Sequence, residues 1–290
     1  MRSPLLLPCP SRTRPLVTAG RRALGFRGFT LIEMLVVIGV MAVLVSLAIP
    51  AYNSMGAGAN LTKAVYDVQG ILEEAHTYAM ANNTYVWVGV LEEDDSQPSP
   101  VVQSSTPIGR VVVSVVASQD GTRYSDSSMN PDPFGKAGST NNVVQLVQVE
   151  KLLKLDNIHL ASFQSAVTPA RPFVNNAYQM GDSTFAKHSD GNGSTEPNLT
   201  TFTYPLTVNG KTPSKPYSFS KIIEFNPHGE ASKIIENTFA GPGPQALIEF
   251  GIQPTHQNLL EANYSGANAS KAAAVLQLEG VSGKVRIFRQ

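Results

Sequence analysis

Several things are scarce in this 290-residue chain, and each scarcity excludes something. Cys9 is its only cysteine, which rules out an intrachain disulfide. Basic and acidic residues balance, 22 against 22, so there is no basic excess of the kind that marks a nucleic-acid binder. Long hydrophobic runs are rare too: Phe29–Ile49 is the single one, which excludes a polytopic membrane protein. Hydrophobic content of 42% still suffices for a folded core. The patterns G-x-x-x-x-G-K-[ST], H-E-x-x-H and G-x-S-x-G do not occur, leaving no sequence support for phosphate-loop, zinc-peptidase or nucleophile-elbow chemistry. His76, His159, His188, His228 and His256 are scattered without metal-ligand spacing. Asp190–Ser194 lacks the later Glu of a calcium loop and reads as a Gly/Ser turn. The run Glu92–Asp95 reads as a solvated loop. The expectation is a chain that is not an enzyme, with no cofactor, no metal and no nucleic-acid partner.

The balance of charge hides an asymmetry. Arg2, Arg12, Arg14, Arg21, Arg22 and Arg27 fall in residues 1–28, with no acid among them and with Cys9. Without that segment 16 basic residues face 22 acidic ones, a net charge of −6. The apolar run that follows is interrupted only by Thr30, Glu33 and Ser46. As a helix it is long enough for a hydrocarbon core of roughly 30 Å. Six arginines precede it, and the first basic residue after it is Lys63. The reading is a single pass with the N-terminus in the cytoplasm and residues 50–290 outside. Glu33 is the anomaly, because an ionisable group in such a segment is costly and functional by default.

The string Arg27-Gly28-Phe29-Thr30-Leu31-Ile32-Glu33-Met34-Leu35-Val36-Val37 resembles the processing signature of the type IV prepilin and pseudopilin family. The resemblance implies cleavage between Gly28 and Phe29 by a prepilin peptidase, which also N-methylates Phe29. It implies that Glu33 serves assembly. The Phe29 amine is largely cationic at neutral pH, and Glu33 of one subunit would neutralise that of its neighbour. Such a buried ion pair acts as a register device. The implied partners are the peptidase and N-methyltransferase, other pilin or pseudopilin subunits, an inner-membrane assembly platform, and inner-membrane lipid before assembly. The implied location is the bacterial inner membrane, with a periplasmic C-terminal domain and, on assembly, entry into a filament in the periplasm or at the surface. A secretory signal cut after Ala59 is the rival; it would place the site about ten residues past the run and leave an acid inside it, against the usual pattern.

The implied fold is α+β and pilin-like: a long N-terminal helix, membrane-spanning first and amphipathic second, packed on an antiparallel β-sheet. The segments are a cleaved leader over 1–28, an assembly helix over 29–49, a bend and amphipathic helix over 50–83, and a β-rich domain over 84–290. Pro50, Gly56 and Gly58 predict a bend or partly melted stretch over 50–60. Leu61, Ala64, Val65, Val68, Ile71, Leu72, Ala75 and Tyr78 then recur at helical spacing, and Asn82-Asn83 suits the stop. Strands are expected at Tyr85–Leu91, Arg110–Val116, Val143–Val149, Tyr217–Phe225, Ser232–Ile235, Ala246–Ile252, Ala274–Leu278 and Lys284–Phe288. Leu152–Ala161 reads as either strand or short helix. All are expected to share one sheet system, with long loops at 92–107, 119–142 and 164–215.

Weaker likenesses reach further along the chain. Leu72-Glu73-Glu74-Ala75 through Val86–Val90, Phe225-Asn226-Pro227-His228-Gly229 and Gly283-Lys284-Val285-Arg286-Ile287 resemble segments of the minor pseudopilins GspH and FimT. They imply a minor pseudopilin of a type II secretion system. The alternatives are a type IV pilus minor pilin for adhesion, motility or DNA uptake and, in another class, a membrane-tethered or secreted binding domain or enzyme that never assembles.

Overall fold

A computed structural model describes residues 29–101, 108–123, 146–163, 171–172, 178–182, 185, 202–206, 215–234, 243–260 and 273–289, with only the backbone given for 47–57. The chain divides into two compact units, Met1–Pro50 and Ala51–Gln290. The helix α1 (Leu31–Ala81, 51 residues) supplies residues to both.

In the first unit, every described helical residue from Leu31 to Ser46 is exposed. Among the described residues no helix is long and apolar enough to cross a membrane. The apolar run continues into residues 47–49, whose side chains lie outside the description. The melted stretch expected over 50–60 is corrected, since the helical assignment is continuous through Pro50, Gly56 and Gly58. Proline removes one intrahelical hydrogen bond and glycine lowers helix propensity by about 1 kcal/mol, which the turns on either side are able to outweigh.

In the second unit, the helix buries the face that its spacing predicts. Leu61, Ala64, Val65, Val68, Leu72, Ala75 and Ala79 are all buried. Asn82 donates its amide to the Tyr78 carbonyl (3.0 Å). Asn83 follows at φ 48°, the left-handed conformation that ends a helix and that Asn tolerates.

The described strands are β1 (Val86–Asp94), β2 (Gly109–Ser118), β3 (Leu146–Gln148), β4 (Leu153–Asp156), β5 (Ile158–Ala161), β6 (Tyr178–Gln179), β7 (Phe202–Tyr204), β8 (Tyr217–Phe219), β9 (Lys221–Phe225), β10 (Ala231–Lys233), β11 (Ile248–His256), β12 (Leu259–Leu260), β13 (Ala274–Leu278) and β14 (Val285–Arg289). They form two six-stranded sheets rather than one system. The first runs β10-β9-β1-β2-β3 with β4 also on β2; the second runs β12-β11-β13-β14 with β5 and β6 on β11. The pair β7-β8 stands apart. All pairings are antiparallel except β6 on β11. The architecture is therefore α+β, with a helix and large antiparallel sheets.

Alternation along β1 explains why it is apolar on both faces. Val86, Val88 and Val90 join the helix and the second sheet (Ile248, Phe250, Leu276) in one core. Trp87 points the other way, into a second core with Val112, Val116, Phe202 and Phe219. Gly89 lies beneath the stacked Phe202 and Phe219 rings, 5.0 Å apart. A Cβ at Gly89 would come within 2.5 Å of the Phe202 ring.

Several sequence boundaries move. The region 92–107 begins as strand, because β1 runs to Asp94. The ambiguous Leu152–Ala161 contains two strands hinged at Asn157, φ 59°. Tyr217–Phe225 divides at Ser220, and β6 and β7 fall within the expected loop 164–215. Most of 119–142, the leader 1–28, the histidine at 188 and the turn at 190–194 lie outside the described residues.

Candidate functional site

The apolar helix begins at a built N-terminus. Thr30 precedes the first helical residue, Leu31, and Glu33 is three residues on. The Thr30 amide donates to Glu33 Oε2 (3.2 Å), and the Glu33 amide donates to Thr30 Oγ1 (3.2 Å). Thr30 Oγ1 also lies 3.3 Å from Glu33 Oε2. This reciprocal arrangement is a capping box, which satisfies two of the amides that a helix start leaves unpaired. A carboxylate in the first turn also complements the helix dipole.

The predicted site residues are thus placed as follows. Phe29 is 72% exposed, directly before the capping residue. Glu33 is exposed and engaged with Thr30 of its own chain. Pro50 lies within α1 with only its backbone described, and Gly28 lies outside the described residues. Around this end, Leu31, Ile32, Met34, Leu35, Val36, Val37, Ile38, Val40 and Met41 are each at least 46% exposed.

Among the described residues the buried acids are Glu93, Asp94, Glu224 and Glu249. Glu224 of β9 takes Arg123 Nε (2.8 Å) and Trp87 Nε1 (2.9 Å). Glu249 of β11 takes Arg171 through Nε and a terminal nitrogen (both 2.9 Å), Gln277 (2.8 Å) and Gln179 (3.1 Å). Each arginine enters from a long polar stretch and is buried at a sheet. No local sequence signal marks them; each reads as a lone surface charge until the sheet supplies its carboxylate.

The acidic run at the end of β1 is also corrected from solvated loop to hydrogen-bonded turn. Glu93 accepts from Ser99 Oγ (2.6 Å) and the Val101 amide (2.9 Å). Asp95 and Asp156 share Arg110. Glu92 lies 2.7 Å from His159 Nδ1. Polar partners from the following turn and from neighbouring strands, not water alone, offset the burial of these carboxylates. Among the described residues no group of three or more candidate ligands is placed to hold a metal.

One histidine has a structural position that its sequence context hides. His76 of α1 lies edge-on to Phe225, with centroids 5.9 Å apart. The two turns carrying Gly229 (φ 85°) and Gly283 (φ 65°) close over its ring, and a side chain at either would run into it. The two glycine-bearing segments noted in the sequence therefore meet at one helical residue.

Comparison with known proteins agrees with the geometry of the N-terminal end. Residues 25–49 match the prokaryotic N-terminal methylation motif. The type IV major fimbrial protein FimA of Dichelobacter nodosus is 25% identical over 158 residues, 54% of this chain and 88% of that protein. A second protein of the same organism, a fimbrial protein, is 26% identical over 145 residues, 47% of this chain and 84% of its own length. No solved structure matches. The chain thus carries the methylation motif at its N-terminal end and is similar to type IV fimbrial proteins over about half of its length.

Proposed function

We propose that this protein is a filament subunit stored in the bacterial inner membrane by residues 29–49, with its N-terminus cytoplasmic and its β domain periplasmic. Prepilin peptidase cuts between Gly28 and Phe29, and Phe29 is N-methylated. The platform then moves the subunit into a helical filament, where neighbouring helices replace lipid and Glu33 of one copy pairs with the Phe29 amine of the next. The observation that carries this reading is the coincidence of the motif at 25–49 with a capped helix start and a continuous exposed apolar surface. The capping box supports the ion pair. It holds the Glu33 carboxylate at the first turn, near the amine that cleavage would create.

A minor pseudopilin of a type II secretion system is the first assignment, resting on the segments at 225–229 and 283–287. A type IV pilus subunit is the second, favoured by the two relatives, both named as fimbrial proteins.

Mass spectrometry of the mature N-terminus tests the whole proposal. The expected product starts at methyl-Phe29, whereas a start at Asn60 or an uncut chain refutes it. Gly28→Val is expected to abolish cleavage. Glu33→Ala is expected to leave insertion and cleavage intact and to remove most of the subunit from sheared filaments. Normal incorporation of Glu33→Ala refutes the ion pair while leaving the processing assignment standing.

A further inference from the structure

The strands fix which end of the β domain lies toward the start of α1. The turn of Gly283 closes over His76, and Arg289 at the far end of β14 reaches Thr62 (3.4 Å to Oγ1), so β14 runs antiparallel to the helix. β11 runs in the same sense as β14, since both pair antiparallel with β13. It also continues further: Ile252 and Arg289 share Ala274 as partner, and His256 is four residues beyond Ile252. Here the β11–β12 turn presents Leu259 and Leu260, 65% and 43% exposed. Beside it a groove of about 210 Å³ opens between α1 and the β4–β5 turn, with Asn60, Lys63, Ala64, Leu155, Asn157 and Ile158 in its lining. Asn157 joins the two features, because its side chain accepts the Gln257 amide (3.0 Å) and its carbonyl the Thr255 amide (2.9 Å). Of the nearby charges, Lys154 turns its ammonium to Ser99 Oγ (3.3 Å) and the Tyr217 ring, and Asp156 is held by Arg110. Lys63 is exposed, and no acid among the described residues pairs with it.

We propose that this pole of the β domain docks on the phospholipid bilayer, with Leu259 and Leu260 entering the interface and Lys63 meeting a lipid phosphate at the mouth of the groove. The docking rests on residues 29–49 being a membrane segment, as in the filament reading. Asn60 stands eleven residues after Ile49, about 16 Å along a helix, so the chain itself keeps this pole near the bilayer surface. Two leucines and a lysine are too few to hold a free domain on a membrane. A short tether makes them sufficient, because it replaces a bimolecular encounter with a local one at high effective concentration. The combination is that of an interfacial anchor, with apolar side chains at the acyl boundary and a cation among the headgroups. The contact holds the domain of the stored subunit down and is given up when the subunit leaves the membrane. Val281, in the turn at the His76 end, is 63% exposed and gives a reference of matched exposure at the opposite pole.

The test uses the full-length protein with Cys9→Ser, reconstituted in vesicles of phosphatidylethanolamine and phosphatidylglycerol. Leu259→Cys, Val281→Cys and Val40→Cys each carry a polarity-sensitive fluorophore, and nitroxide-bearing lipids are the quenchers. The probe at 259 is expected to be quenched at headgroup depth several-fold more than the probe at 281, and the probe at 40 at acyl depth. Lys63→Glu and Leu260→Asp, both at exposed positions, should each lower the quenching at 259 at least twofold. Equal quenching at 259 and 281 with the probe at 40 quenched overturns the docking and leaves the membrane segment standing. An unquenched probe at 40 overturns the membrane segment and the docking together. A signal at 259 that neither variant changes overturns the docking too. So does shielding of 259 that rises with the protein-to-lipid ratio without nitroxide quenching, since that outcome gives the pole to a second copy.

Discussion

The two described ends of α1 are built from the same kinds of residue and meet opposite fates. From Leu31 to Val45 its large apolar side chains are exposed. From Leu61 to Ala79 they are buried beneath two sheets. The acids divide in the same way. Glu33, on the exposed half, is held by uncharged groups of Thr30, while Glu224 and Glu249 inside the β domain each face an arginine. A single soluble fold rarely leaves so long an apolar surface uncovered. The difference separates what the domain needs for its own stability from what it leaves uncovered.

The sharpest way to break that distinction is to remove charge from the domain's interior. Arg171 and Glu249 are both almost fully buried. Losing one partner strands the other away from water, at a cost of about 3–5 kcal/mol. Arg171→Ala is therefore expected to lower the urea midpoint of the β domain steeply, while Glu33→Ala leaves it unchanged. An Arg171→Ala domain as stable as wild type would show that Glu249 reaches water and that this end of the polar stretch is not anchored.

The next test compares like with like on the helix itself. Leu72 is 1% exposed and Leu35 is 58% exposed. Truncating a buried leucine typically costs about 2–5 kcal/mol, so Leu72→Ala should destabilise the domain by that order. Leu35→Ala should leave domain unfolding unaltered, with any effect confined to assembly. Equal effects of the two substitutions on urea unfolding would mean that the exposed half is also part of the cooperative unit.

Much of this division was legible beforehand. The 3.6-residue spacing of Leu61, Val65, Val68 and Leu72 names the buried face, whereas the capped start at Thr30–Glu33 emerges only from the structure. The strands with dense valine were also readable. What sequence could not supply was pairing at long range. Residues Trp87 and Glu224, or Arg171 and Glu249, lie 137 and 78 positions apart, and only the sheet register brings them together. The short strands β6 and β7 lack the length for a period-2 pattern, so in the sequence they do not stand out from the surrounding polar stretch. Two sheets in place of one follows from the same gap, because strand spacing along a chain does not reveal which strand is a neighbour.

The smallest expected effect concerns His76, on the buried half of the helix beneath the turns of Gly229 and Gly283. Burial lowers the affinity of its imidazole for a proton, and Glu73 only partly opposes this. The folded state therefore prefers neutral His76, while the unfolded chain takes up a proton near pH 6.5. The contribution is fully present above about 6.5 and is lost as pH falls from there through the depressed folded-state value. Partial exposure of the ring keeps the effect modest. Urea midpoints measured between pH 7 and 5 should thus fall more for wild type than for His76→Gln, after allowance for the variant's lower starting stability. Parallel slopes would show that the two turns ride over the helix without excluding water from it. A steeper wild-type slope would place this pH sensitivity in the domain-facing half of α1, where a proton must compete with packing, and not in the half left exposed.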